Sequence, residues 1–210
     1  MPVEIAPFRL YVSVDLELGE ERELLGRSLI EIPLDVGWEI TYSPRGNSPL
    51  KPGKIISADM HIVLMGGDIR APVGQECSLA MRNGRPLIPL LKTGVNRTPA
   101  AVDYVRYLGK HNQWQPYSDF QQLRFIFLSI LTSKLVNMAS KFRLTKSEFE
   151  KLLIWQGEVE QQTKESLGDL RGGAGESSVI LSVDRFYPSD GIRLEVTDDG
   201  EEGNSGSQID

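Results

Sequence analysis

The stretch SADMHIVLMGGDIRAPVGQECSLAMRNGRPLIPLL, residues 57–91, decides the fold. An apolar run at 61–65 ends at Gly66-Gly67, and a second apolar run covers 86–91. Between them Gly74-Gln75-Glu76 opens a predicted helix whose apolar positions Leu79, Ala80 and Met81 precede a stop at Asn83-Gly84. Strands buried on one face alternate apolar with polar residues, whereas strands covered on both faces do not. Two nearly continuous apolar runs around a helix therefore predict a parallel sheet between helical layers. Glu76 then stands just past the carboxyl end of a strand, where open α/β sheets bind ligands.

Working outward, 8–14 is rich in the β-branched and aromatic types that suit a buried strand, and it ends at Asp15. Leu16, Leu24, Leu25, Leu29 and Ile32 follow at roughly helical spacing, with Glu17, Glu20 and Glu21 early, where acids favour the positive end of a helix, and Pro33 as its stop. WEITY at 38–42 is a second strand, and SPRGNSPLKPGK at 43–54 reads as loop by its Pro, Gly, Ser and Asn content. Arg45, Lys51 and Lys54 make that loop the most basic place near the crevice.

Downstream, Thr98-Pro99 predicts a capped helix to about Leu108-Gly109, and Gln113 to Tyr117 an edge strand that tolerates Pro116. Asp119 caps a long apolar helix, too short in its uninterrupted apolar core for a bilayer and flanked by Arg124 and Lys134. Thr145 and Glu148 have capping-box spacing for a last helix. RGGAGESS reads as a hinge, the turn 188–191 as the tip of a β-hairpin, and the acidic, aromatic-free residues 197–210 as a disordered tail. The elements sum to an α/β, flavodoxin-like three-layer sandwich with a five-stranded parallel sheet (1–140), a helix-and-hairpin appendage (141–196) and the tail. The crossover between the second and third strands is expected to be mostly loop.

At 210 residues and 40% hydrophobic composition the chain can bury one substantial core. A net charge of -6 with no basic stripe argues against a nucleic-acid partner, because phosphate contacts need clustered Lys and Arg. Cys77 is the only cysteine and His61 and His111 the only histidines, so neither a disulfide nor a metal site is expected. The first residues lack the basic start and long apolar core of an export signal, which predicts a cytoplasmic protein that does not enter a membrane.

Asp59, Gly66-Gly67, Gly74, Glu76, Ala80, Gly84 and Pro86 stand in the order of a known signature, and so do Ser13, Asp15, Glu20, Glu21 and Arg22 in YVSVDLELGEERELL. With these residues, about 8–139 resembles the superfamily of TIR-like domains and nucleoside 2-deoxyribosyltransferases. The second group is similar to TIR-like domains of unknown function in bacterial signalling and defence proteins. The resemblance implies an N-glycosidase acting on NAD or a related nucleotide or nucleoside, with NAD as substrate rather than cofactor. Glycosidic cleavage passes through an oxocarbenium-like sugar, so a carboxylate beside the anomeric carbon stabilises that charge or attacks it. Glu76 carries that role by resemblance. Ser13, Asp15, Arg45, Asp59, Gly66, Gly67 and Asp68 are the candidate substrate contacts, Arg45 through its planar fork and the glycines by close backbone approach. The alternative is a non-catalytic nucleotide-binding sensor, or an adaptor that self-assembles or passes a signal to a partner.

Each residue also has a plainer reading. Glu76 near a helix start favours the dipole, Asp59 is a turn residue opening a strand, and Ser13 and Asp15 cap the first helix. Cys77 reads as a small buried residue and His61 as a packed or edge histidine. The Arg45, Lys51 and Lys54 loop is then a solvated face.

Overall fold

A computed structural model of the chain describes residues 6–45 and 48–169, all of them within one compact unit, Met1–Gly173. The hinge, hairpin and tail expected beyond 170 lie outside the described residues. Five strands, β1 (Phe8–Val14), β2 (Trp38–Tyr42), β3 (Met60–Met65), β4 (Leu87–Lys92) and β5 (Gln115–Tyr117), form one sheet in the order β2-β1-β3-β4-β5. Every pairing is parallel. This is the doubly wound, flavodoxin-like α/β arrangement, with its topological switch between β1 and β3.

Proline placement shows why the sheet ends where it does. Pro89 lies within β4, but β5 pairs with β4 only from Leu90 onward, so Pro89 has a strand neighbour on one side alone. Pro116 sits in the edge strand, where a missing N–H is tolerated.

The helices are α1 (Gly19–Ser28), α2 (Pro52–Ser57), α3 (Ala71–Arg82), α4 (Pro99–Gly109), α5 (Phe120–Asn137) and α6 (Lys146–Asp169). One layer packs α1, α5 and α6 on Leu10, Val12, Val14, Met60, Ile62 and Leu64. The other packs α2, α3 and α4 on Tyr11 and Val63 through Ile55, Val73, Cys77, Ala80 and Leu108. Helix caps follow the sequence: Thr98 Oγ1 accepts from the Ala101 amide at 3.2 Å, Asp119 Oδ1 from Gln122 at 2.8 Å, and Thr145 and Glu148 form the reciprocal capping box.

The crossover from β2 to β3 is mostly loop, as expected, and holds the six-residue α2, where Pro52 supplies the fixed φ of a first helical turn. Three expectations need correction. The helix α3 starts at Ala71 rather than Gly74, with Pro72 again in its first turn. The first helical segment is broken into 3-10 turns at Leu16–Leu18 and Leu29–Glu31 on either side of α1. Finally, α6 and the segment before it are no appendage: Phe142 of that segment and Leu152 and Val159 of the helix are buried in the same core as β1 and β3. No helix of the described residues is long and apolar enough to cross a membrane.

Candidate functional site

In β1, side chains alternate between the two layers. Leu10, Val12 and Val14 enter the apolar core, and Tyr11 and Ser13 face the other way. The parallel register sets Tyr11 beside His61 and Ser13 beside Val63. The helix α3 lies on that face and presents Val73, Glu76, Cys77 and Ala80 at spacings of three and four, all buried. A carboxylate thereby lands on a strand face that carries hydroxyls.

Glu76 is 0% exposed. Its Oε1 accepts from the Tyr11 hydroxyl at 2.7 Å, and its Oε2 from Ser13 Oγ at 2.6 Å and from Ser43 Oγ at 2.6 Å. A buried charge without donors would be untenable, and three hydroxyls on two oxygens offset part of that cost. Burial pushes the Glu76 carboxyl above the usual range, while the donations from Ser13, Ser43 and Tyr11 pull it back. Burial together with the adjacent Glu76 raises the Tyr11 phenol, which stays protonated and a donor.

Ser13 Oγ also lies 2.7 Å from His61 Nε2. With its one proton given to Glu76, Ser13 accepts from an Nε2–H, which makes Nε2 the protonated nitrogen of a neutral imidazole. Burial pushes His61 down to about 3. Its Nδ1 is buried without a hydrogen-bond partner. Cys77 is fully buried and pushed up to about 12 chiefly by burial, so it stays a thiol and no nucleophile.

Beyond this cluster a cavity of about 260 Å³ opens over the carboxyl end of β1. Val14, Asp15 and Leu16 follow the strand into it, Gly19 and Arg22 come from α1, Ser43 and Arg45 from the segment after β2, and Arg70 and Val73 from the start of α3. Arg70 Nε pairs with Asp15 Oδ1 at 2.9 Å, and Arg22 lies over the Tyr42 ring. Arg45 has no ion-pair partner among the described residues. The first turn of α3 has neither a side-chain cap nor an acid, so its free amides add positive potential to that of Arg22 and Arg45, while Arg70 is met by Asp15. Ser43 belongs to both places: it lines the cavity and donates to Glu76.

The candidate residues divide accordingly. Asp15 and Arg45 line the cavity, and Ser13 and Glu76 lie behind its wall. Gly66, Gly67 and Asp68 are beside it, but the space against the glycines is filled from within. A Cβ on Gly66 would collide with the Glu17 carboxylate, and one on Gly67 would meet the Asn96 carbonyl oxygen at 2.8 Å. Their small size is thus required by packing in the ligand-free protein. The Asp68 carboxylate accepts from Thr98 Oγ1 at 2.7 Å, and this bond together with the Ile69 amide holds it below the usual carboxylate range.

Asp59 is a correction. It precedes β3 at the opposite rim of the sheet, where Oδ2 accepts from the Arg9 amide at 3.0 Å and Oδ1 pairs with Lys141. That is the strand-opening role, away from the crevice.

Tyr11, Ser43, Arg22 and Arg70 were not among the expected contacts. Tyr11 and Ser13 had a readable signal, two hydroxyls at i and i+2 in an otherwise apolar strand. Ser43, 33 positions from Glu76, had none. Among the described residues no cluster of His, Cys, Asp or Glu is arranged to hold a metal. No known protein family matches the chain, and no curated protein is significantly similar to it.

Proposed function

We propose that the protein binds a nucleotide or phosphorylated nucleoside in the arginine-lined cavity and cleaves its N-glycosidic bond with Glu76 as the carboxylate. The observation that carries the reading is the convergence of Arg22, Arg45, Arg70 and the uncapped start of α3 on one cavity at the switch point of a parallel sheet. Such a site favours a phosphate, and a volume of about 260 Å³ suits one phosphoribosyl unit rather than a whole dinucleotide.

Ser43 connects binding to chemistry. Its hydroxyl donates to Glu76 from the cavity wall, so a ribose hydroxyl that takes over this hydrogen bond brings the sugar onto the carboxylate. Glu76, still held by Tyr11 on Oε1 and by Ser13 on Oε2, then faces the anomeric carbon as positive charge develops there. A second reading, a nucleotide sensor without turnover, is favoured by the full burial of Glu76 and its three satisfied hydrogen bonds.

Incubating the protein with NAD and with AMP, while following nicotinamide and adenine by chromatography, separates the two. The enzyme reading expects base release that falls at least about a hundredfold in Glu76→Gln. Calorimetric binding with no base released, at high protein concentration as well, would leave the sensor. Absence of binding by any phosphorylated nucleoside would overturn both.

A further inference from the structure

The glycine loop after β3 holds an anion already. Glu17 Oε1 accepts from the Gly67 amide at 2.6 Å and from the Asp68 amide at 3.3 Å. Two successive backbone N–H groups turned onto one oxygen form an anion-binding concavity. No Lys or Arg pairs with Glu17 among the described residues, and the residue is exposed. Its carboxylate is therefore held by main-chain donors at a place open to solvent.

Along the chain, the residues of this seat are neighbours of residues that line the arginine cavity. Glu17 lies between Leu16 and Gly19, which line the cavity, and Asp68 lies two residues before Arg70, which lines it too. The Gly67 carbonyl accepts from the Thr98 amide at 2.9 Å and Asp68 from the Thr98 hydroxyl, so the loop's donors stay aimed whether or not Glu17 is present. A Cβ at Gly66 would fill the seat itself, since it would collide with the very oxygen that the amides hold.

We propose that the Gly67 and Asp68 amides are a second anion subsite, occupied by the Glu17 carboxylate in the free protein and taken by the second phosphate of a diphosphate ligand. This deepens the nucleotide reading and rests on it for the first phosphate. Glu17 then acts as a specificity-determining residue. It offers a monophosphate no competition, and a diphosphate must displace it. A dinucleotide or nucleoside diphosphate is the ligand class whose two adjacent phosphates span cavity and seat.

The test measures AMP and ADP affinities by calorimetry for wild type, Glu17→Gln and Glu17→Ala, with thermal melts to check folding. Emptying the seat is expected to raise the ADP-to-AMP affinity ratio about tenfold, the scale of one additional charge-assisted hydrogen bond. In parallel, inorganic pyrophosphate should shift the Gly67 and Asp68 amide resonances of Glu17→Ala more than those of wild type. If AMP binds and the ratio stays the same in both variants, the subsite is wrong while the nucleotide reading stands. If neither nucleotide binds any form, both fall. Should Glu17→Ala fail to fold, Glu17→Gln, which removes the charge but leaves a neutral acceptor on the two amides, is expected to show a smaller rise in the same ratio.

Discussion

The two faces of β1 and β3 are made from alternate residues of the same strands, yet they are built on opposite terms. On one, Leu10, Val12, Val14, Met60, Ile62 and Leu64 meet α1, α5 and α6, and the fully buried Ser28 and Thr132 of those helices bond back to carbonyls of their own turns. On the other, Tyr11, Ser13 and His61 meet Glu76 of α3 in a buried hydrogen-bonded group. Replacing this whole group by apolar side chains of similar volume would be about neutral or stabilising, since its hydrogen bonds must first offset the desolvation of a carboxyl group. The polar face is thus where the molecule gives up stability, and it is the face behind the cavity. The apolar face is what makes that concession tolerable.

The contrast can be broken first on the apolar side. Phe127 is fully buried there, and Phe127→Ala should cost about 3–5 kcal/mol in urea unfolding, with nucleotide affinity of the folded fraction unchanged. A loss of affinity as large as the loss of stability would mean the two faces are not separable.

Acid should act on the polar side. His61 is pushed down to about 3 in the folded protein, so between its ordinary value and that one the unfolded chain binds a proton the folded chain refuses. Stability is lost as pH falls through this window, by about 2–3 kcal/mol over two pH units. Glu76 acts with the opposite sign. Its raised value means stability is present at acid pH and is lost as pH rises from the ordinary carboxylate range through the folded value. Where the two windows overlap, above the ordinary carboxylate range, they partly cancel. His61→Gln should therefore flatten the fall in urea midpoint between pH 6.5 and 3.5, and an unchanged slope would show that His61 is not the group responsible.

A smaller stability effect is expected from Glu76→Gln, which keeps the shape but sets an amide donor among hydroxyl donors. It should cost about 1–3 kcal/mol, and a double-mutant cycle with Ser13→Ala should show coupling. Additive single effects would argue against the hydrogen-bonded group as a unit. Smallest of all, Arg45→Ala at its exposed position should move stability by no more than about 0.5 kcal/mol, while weakening AMP binding about tenfold.

Much of this architecture was readable from local pattern. The apolar runs at 61–65 and 86–91 lie within one residue of β3 and β4, because strands buried on both faces leave an uninterrupted signal. The helix α2 was hidden by Pro52 and Gly53, which read as loop when summed with their neighbours. The site was legible in part. Asp15 and Arg45 could be placed at the strand ends from order along the chain, whereas Glu76, expected there too, lies in the second turn of α3 against the face of β1. The burial of Glu76 could not be read, because its three hydroxyl donors come from two strand positions and a loop that lie 33 to 65 residues away. Asp59 misled although its place was readable: it precedes β3, so in a parallel sheet it stands at the amino ends of the strands, opposite the crevice.

The most direct test of the central claim is a crystal structure of the protein soaked with AMP. The account predicts the phosphate among Arg22, Arg45 and Arg70 and a ribose hydroxyl on Glu76 Oε2 in place of Ser43. A nucleotide bound elsewhere, or bound in the cavity with the Ser43–Glu76 hydrogen bond intact and the sugar turned away, would contradict it.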